Sequence, residues 1–147
     1  MPDSIFTGRF NHATLNCRQV ARSVDFYTGV LGFRQVPRPS FSFPGAWLYR
    51  DGLGMMLHLN EDPRFNPPRD TINTRKSHLA FRVDDIDATV ALLGEHGVEC
   101  VVKTLPDHGY RQIFLLDPDG NVLELGEWPD VEPLVDAITG GGKAAGA

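Results

Sequence analysis

The sequence predicts an α+β fold made of two tandem βαβββ modules, and three observations indicate it. First, His12 and His58 lie 46 positions apart, and His78 and Glu124 also lie 46 positions apart. Second, a shift of 66 positions places the first pair on the second, with similar residues around each. Third, each half reads as a strand, a helix and three further strands. A repeated pattern of this length indicates two copies of one supersecondary unit.

The first module is predicted to span residues 9–60. Alternating β-forming residues predict a strand over 10–17. A helix over 20–31 follows, because its apolar residues recur at helical spacing, and Gly32 is predicted to end it. Two turn segments, Pro37-Arg38-Pro39 and Asp51-Gly52, then divide three short strands, which are predicted over residues 33–36, 46–50 and 55–60.

The second module is predicted over residues 76–128 and repeats this order. Its helix is predicted over 86–95, with Asp84 as the N-cap and Gly97 as the stop. The segment Asp117-Pro118-Asp119-Gly120 is typical of a tight turn. The strands are predicted over residues 77–83, 98–103, 111–116 and 122–128.

Between the modules, residues 61–75 contain three prolines and several charges, which predicts an exposed linker. Residues 129–147 form a C-terminal tail in which 132–138 is predicted to be one or two helical turns, followed by a Gly/Ala-rich end. We expect residues 1–147 to form a single domain.

Composition excludes several classes of function. The chain has 147 residues, of which 41% are hydrophobic and 22% charged, as expected for one globular domain. Its net charge of -5 argues against a nucleic-acid partner, because phosphate binding needs clustered cations. A small-molecule substrate is expected instead. No apolar run is long enough to span a bilayer, and no signal peptide is recognisable, so we expect a cytoplasmic protein with no membrane partner. Cys17 and Cys100 show no metal-binding spacing and are predicted to be reduced structural thiols.

The repeated polar residues predict a metal site. His12, His58, His78 and Glu124 each lie in a predicted strand whose alternate positions are apolar. Because side chains alternate between the faces of a strand, these four are expected on the side opposite the helices, facing a cleft. A lone His in a strand is more often structural, yet four candidates at matching repeat positions favour metal ligands. We predict that a curved mixed sheet surrounds one divalent ion.

These features resemble a known family. The duplicated plan, the ligand positions in the first and last strands, and the segment Asp117-Pro118-Asp119-Gly120-Asn121-Val122-Leu123-Glu124 resemble the vicinal oxygen chelate superfamily of glyoxalases, extradiol dioxygenases, and fosfomycin or bleomycin resistance proteins. The resemblance spans residues 9–128, and the segment 38–48 is most similar to small glyoxalase-like members. It implies a divalent metal that is held by the four candidate ligands and that binds substrate through adjacent oxygens.

One position departs from the family pattern. Bacterial glyoxalase I enzymes usually carry Glu where this chain has His58, so the implied set has three imidazoles and one carboxylate. Around a divalent ion this set leaves a net charge of +1, which favours an anionic chelating substrate. An alternative set is His12, His78 and Glu124, with His58 as an outer residue. Nickel, zinc, iron(II) and manganese all suit such ligands.

Five residues are predicted to contact substrate. Arg82 shares the ligand face with His78, and a charge facing a cleft needs an anionic partner. Asn16 shares the face of the first strand with His12. The remaining three are aromatic or cationic candidates for the cleft wall, although strand aromatics are as often core residues: Trp47, Tyr110 and Arg111.

The resemblance implies a metal-dependent glyoxalase-like lyase or isomerase. Glu124, or a metal-bound hydroxide, would remove the proton next to a carbonyl, and the metal would hold the enediolate. Two alternatives stay open at this point: an extradiol-type ring-cleaving dioxygenase, and a non-catalytic protein that binds an antibiotic or another small molecule. The resemblance also implies a homodimer, with a site formed within one chain or across two.

Overall fold

The computed structural model describes residues 5–6, 8–67 and 71–140 of the chain. The order strand, helix, strand, strand, strand occurs twice in these ranges, which confirms the α+β class and the tandem βαβββ plan. A C-terminal helix follows. In chain order the elements are β1 (His12–Cys17), α1 (Val20–Gly29), β2 (Arg34–Val36), β3 (Gly45–Tyr49), β4 (Met56–Glu61), β5 (His78–Arg82), α2 (Ile86–Glu95), β6 (Cys100–Thr104), β7 (Arg111–Leu116), β8 (Val122–Gly126) and α3 (Val131–Ile138).

The chain divides into two compact units. The first consists of Met1–Arg69 together with Asp117–Asn121, and the second of Asp70–Leu116 together with Val122–Ala147. Residues 68–70 of the predicted linker and 141–147 of the predicted tail lie outside the described residues. The single domain over 1–147 and its module limits remain predictions.

Each unit contains one four-stranded sheet, and the two sheets have equivalent strand orders. The first is β1-β4-β3-β2, and the second is β5-β8-β7-β6. In each sheet the first strand of the half runs parallel to the last, and the other pairings are antiparallel. The candidate ligands therefore lie on neighbouring strands within each unit.

The core of each unit follows the predicted alternation. On β4, Leu57 and Leu59 flank His58 in sequence and are fully buried. On β8, Leu123 and Leu125 flank Glu124 and are buried in the same way. Full burial of such a side chain contributes about 1.5–3 kcal/mol, so these leucines fix the phase of each strand. That phase places His58 on the face of the first sheet opposite its leucines. It places Glu124 on the corresponding face of the second sheet.

The two predicted stop glycines follow the helices; α2 ends at its predicted limit, whereas α1 ends at Gly29, two residues before its predicted end. Gly32 and Gly97 adopt φ angles of +73° and +68°, in the left-handed region that favours glycine after a helix. The predicted N-cap of α2 is wrong by one residue. The Asp85 carboxylate accepts the Ala88 N–H at 2.9 Å, whereas Asp84 lies 2.7 Å from the Arg82 guanidinium.

The tight turn before β8 packs into the first unit through buried polar groups. Asp117 accepts a hydrogen bond from the Tyr27 hydroxyl at 2.8 Å, and it also accepts the Asn121 and Asp119 backbone N–H groups. Asp119 accepts the Ser23 hydroxyl at 2.9 Å. Because a hydroxyl buried without a partner is costly, these bonds hold the turn against α1.

Several strand ends differ from the predicted limits. The last strand stops at Gly126 instead of Trp128, and the Trp128 ring occupies the space where a side chain at 126 would lie. Only a glycine fits this position while Trp128 stays in place.

None of the helices within the described residues combines the length and apolar character needed to cross a membrane.

Candidate metal centre

The first unit brings His12 and His58 into direct contact. Thr14 is the register partner of His58 across the β1–β4 ladder, so His12 lies two positions along on the same face. The two imidazole rings stack with centroids 3.9 Å apart and an interplanar angle of 16°. The Trp47 ring stacks on His58 at 4.3 Å and 5°. His58 therefore contacts both rings.

The His58 imidazole has an unused nitrogen. The residue is 8% exposed, and its Nε2 is buried without a hydrogen-bond partner among the described residues. Burial lowers the pKa of His58, and the nearby His12 and Arg38 lower it further. The neutral ring is favoured, and neutral imidazole is the form that binds metal ions. A buried nitrogen without a partner costs about 1–3 kcal/mol, which a metal ligand bond would offset.

The hydrogen bond between His12 and Asn11 defines the tautomer of the His12 ring. Its Nδ1 lies 2.7 Å from the Asn11 Oδ1, and an amide oxygen only accepts, so Nδ1 carries the hydrogen. The lone pair of the neutral ring then belongs to Nε2. A metal-binding His is usually oriented by such a bond from its other nitrogen.

The second unit brings His78 and Glu124 together. His78 Nε2 lies 2.8 Å from Glu124 Oε2, while His78 Nδ1 donates to the Lys76 carbonyl at 2.7 Å. The side-chain amide of Gln112 donates to the other carboxylate oxygen, Oε1. Glu124 is 5% exposed, so these contacts are its main compensation for lost hydration. The His78 ring also meets Phe114 edge-on at 5.7 Å.

The two pairs fit a divalent ion by chemistry. Each unit presents two of the side-chain types that bind zinc, nickel, iron(II) or manganese, and each His is held by its other nitrogen or by stacking. Within the described residues, no group of three or more His, Cys, Asp or Glu side chains is placed to hold an ion. The structure thus brings His12 to His58 and His78 to Glu124, and the four-ligand shell remains a proposal.

The residues predicted to contact substrate have different positions. Trp47 stacks directly on a candidate ligand. Asn16 is exposed on β1, two positions beyond the residue paired with His58. Arg82 is on the predicted strand, but its guanidinium contacts Asp84 at 2.7 Å and the Trp128 carbonyl at 2.9 Å. Its charge is already compensated within its own unit.

The other two predicted contacts, Arg111 and Tyr110, pair with residues other than the candidate ligands. Arg111 bonds Glu127 at 2.8 Å and Asp87 of α2 at 3.0 Å. Because Gln112 contacts Glu124, the alternation of β7 puts Arg111 on the opposite, helix-covered face. Tyr110 precedes the strand and stacks with His108 at 6.1 Å.

Three residues near the ligands were not predicted from the sequence. Gln112 and Asn11 bond Glu124 and His12, and Arg38 is close enough to lower the pKa of His58. Asn11 precedes a candidate ligand directly, which is a usable sequence signal. Gln112 becomes recognisable only with the β7–β8 register, in which Phe114 lies opposite Glu124.

Comparison with known proteins identifies the family. The model of the Glyoxalase/Bleomycin resistance protein/Dioxygenase superfamily matches residues 9–125. The chain belongs to this superfamily. As a superfamily member it is expected to bind a small molecule, and members generally depend on a divalent metal.

Individual relatives support the assignment. The chain is 35% identical to "Glyoxylase I 4" of Arabidopsis thaliana over 78% of its own length and 68% of the relative's length. It is 30% identical to "Catechol-2,3-dioxygenase" of Bacillus subtilis over 78% of its own length, but spans only 39% of that protein. The solved glyoxalase family protein from Enterococcus faecalis is 29% identical, with a TM-score of 0.63 over 80% of this chain and 95% of that one. The matched relatives include enzymes of different classes.

Proposed function

We propose that this protein is a metal-dependent glyoxalase-like lyase or isomerase acting on a small substrate with adjacent oxygens. The observation that carries the proposal is the buried Glu124 carboxylate, which lies 2.8 Å from His78 Nε2 and accepts the Gln112 amide on its other oxygen. A carboxylate held this way serves both as a metal ligand and as a proton acceptor. The similarity to a plant glyoxylase I supports the same class.

The proposed ligands of one divalent ion are His12, His58, His78 and Glu124. The unused Nε2 of His58 supports its place in the set, in preference to an outer position. Nickel, zinc, iron(II) and manganese are all compatible with three imidazoles and one carboxylate. When bound, the ion supplies Lewis acidity that polarises a substrate carbonyl.

The side chains of the second unit account for the proton transfer. Glu124 Oε2 accepts the proton from the carbon next to the carbonyl, which leaves an enediolate. The same oxygen returns the proton to the former carbonyl carbon, while the substrate hydroxyl proton passes to the neighbouring substrate oxygen, so the carbonyl and hydroxyl groups exchange places. The Gln112 amide fixes Oε1, so the carboxylate turns little between the two transfers. The Lys76 carbonyl holds the His78 ring through Nδ1, so Nε2 is the nitrogen that would bind the ion beside Glu124.

Metal analysis followed by turnover tests the proposal. Reconstitution with each first-row metal and elemental analysis should give about one ion per site. Less than about a tenth of an equivalent with every metal would remove the metal-dependent function and leave a binding role. Hemithioacetals, 2-oxo acids, acyl-CoA thioesters and catechols form the substrate panel.

The variant Glu124→Gln distinguishes the role of Glu124 as a base from its role as a metal ligand. It keeps one oxygen donor and the strand packing but removes the basic carboxylate, so turnover should fall by roughly 100-fold or more, the scale of a lost general base. Metal content should fall less. A metal-loaded variant with parental turnover would show that Glu124 acts only as a ligand.

A second candidate function is extradiol-type ring cleavage. The 30% identity to a catechol-2,3-dioxygenase favours it, and His12, His78 and Glu124 form the two-His, one-carboxylate set typical of iron(II) oxygenases. Oxygen consumption with catechol that requires iron(II) would support this function over lyase chemistry.

We also propose a homodimer, which light scattering of the purified protein tests directly.

A further inference from the structure

The loop between β2 and β3 places a cation beside the candidate ligands of the first unit. The Arg38 guanidinium carbon lies 4.7 Å from the Phe41 ring centroid and 5.0 Å from that of Phe43. Its Nη2 donates to the Phe43 carbonyl at 3.1 Å. A Cβ at Gly45 would lie 2.4 Å from the Leu59 carbonyl oxygen and 2.9 Å from Arg38 Nη2. The glycine therefore allows the close approach of β4 and also leaves space for the guanidinium.

The same loop extends the ring stack of the first unit. Phe41 and Phe43 stack at 5.4 Å, and Phe41 meets Trp47 at 6.4 Å. Trp47 in turn stacks on His58. We call the continuous series of rings the aromatic row, and it consists of Phe43, Phe41, Trp47, His58 and His12. Phe41 and Phe43 are 47% and 40% exposed, so one end of the row is open to solvent.

Arg38 has too few partners for a structural arginine. Among the described residues no carboxylate lies within ion-pair distance of it, its Nε is buried without a partner, and only Nη2 makes a hydrogen bond. Arg34, the first residue of β2, shows the usual arrangement: it lies over the Tyr49 ring and pairs with Asp51 at 3.2 Å. A partly buried guanidinium without an anion is costly, and its planar fork matches a carboxylate.

We propose that Arg38 and the aromatic row form a binding site for a carboxylate that carries an aromatic or unsaturated group. Arg38 would bind the carboxylate, and the exposed rings of Phe41 and Phe43 would contact the planar group. As a statement about the enzyme's substrate, this inference rests on the proposed metal-dependent function. As a binding site it is testable without metal, because the residues that would contact the ligand, Arg38, Phe41 and Phe43, are not proposed metal ligands.

The site is testable with simple probes on the metal-free protein. Phenylacetate carries a ring and a carboxylate, phenylacetamide is its neutral counterpart, and acetate lacks the ring. Titrations followed by two-dimensional ¹H–¹⁵N NMR should shift the Trp47 indole signal. We expect phenylacetate to bind at least about tenfold more tightly than either of the other two probes.

Two variants distinguish the effect of the Arg38 charge on binding from a general effect of losing an arginine. Arg38→Met should weaken phenylacetate binding about tenfold or more and abolish the preference over phenylacetamide. Arg34→Met removes the same charge from a similar cation–ring contact and should leave both Kd values unchanged. If Arg38→Met does not fold, Arg38→Gln provides the same comparison.

The outcomes distinguish this inference from the proposed function. Equal Kd values for acid and amide in the parent protein, or an acid preference that survives Arg38→Met, would overturn the inference. Loss of the preference in both arginine variants would also overturn it, because the effect would then be one of general charge. If the protein binds no metal but the Arg38-dependent preference stands, only the metal-dependent function fails.

Discussion

Gln112→Leu should weaken metal binding although Gln112 is not a proposed ligand. The substitution keeps the approximate size of the side chain and removes the amide that donates to Glu124 Oε1. Glu124 is 5% exposed, so water cannot easily replace the lost donor. The carboxylate would keep only the contact of Oε2 with His78 Nε2, at 2.8 Å.

Two independent magnitudes lead to the same expectation. A hydrogen bond to a charged group is worth about 1.5–3 kcal/mol. Loss of a residue that orients a metal ligand costs roughly 10- to 100-fold in affinity, equivalent to about 1.4–2.8 kcal/mol. We therefore expect the Kd for the metal to rise about 10- to 100-fold in Gln112→Leu. The free energy of unfolding should fall by about 1–3 kcal/mol, because the oxygen stays buried without its donor.

Competition against a chromogenic chelator measures the affinity, and urea unfolding measures the stability. Gln35→Leu is the matched control, since Gln35 is exposed on β2 of the first unit, and it should change neither quantity. In a Glu124→Ala background, Gln112→Leu should have no further effect on affinity, because its partner is absent. Parental affinity in Gln112→Leu, or an equal loss in the Glu124→Ala background, would refute the reasoning.

Two further predictions concern the first unit. His58→Ala should weaken metal affinity about as much as His78→Ala, because the unused Nε2 of His58 indicates a direct ligand. If metal affinity falls only about 10- to 100-fold and the metal stays bound, His58 is instead an outer residue. Tyr27→Phe should lower the free energy of unfolding by about 1.5–3 kcal/mol at pH 8, because the ionised Asp117 loses a buried donor. Burial raises the pKa of Asp117, so this loss should shrink as the pH falls through that raised pKa, where the neutral carboxyl needs fewer donors. Urea unfolding at pH 8 and at a pH below the raised pKa of Asp117 checks this. Tyr49→Phe is the control and should stay within about 0.5 kcal/mol of the parent protein. An equal loss of stability at the lower pH would contradict the role of the Asp117 charge.

Periodicity and the internal repeat predicted the order of the elements and which two candidate ligands lie side by side in each half. Helix Ile86–Glu95 and strand Arg111–Leu116 have the predicted limits, because apolar spacing and flanking turn residues agree there. The repeat predicted that ligands on the first and last strands of each half lie together, as His78 and Glu124 do. One buried leucine on each side of a ligand is enough to fix which face the ligand takes.

The remaining details depend on interactions between strands and helices that one-dimensional patterns do not contain. The orientation of Arg111 follows from the phase of β7, and its sequence neighbours are compatible with either face. Asp84 and Asp85 are equally good N-caps by composition, and the contact of Asp84 with Arg82 leaves the cap to Asp85. Arg38 lies in a proline-rich loop, where no periodicity indicates its contacts.

The position of the Asp117–Asn121 turn within the first unit affects the order of folding during synthesis. The buried Tyr27 and Ser23 hydroxyls have their acceptors on Asp117 and Asp119. Those acceptors are made about fifty residues after Arg69, the end of the first unit's main segment. At typical translation rates of about 5–20 residues per second, the nascent first unit waits roughly 3–10 s for them. A ribosome-bound chain that ends at the linker should thus lack the acceptors of the Ser23 and Tyr27 hydroxyls, and a gene cut at the linker should not produce two independently stable halves.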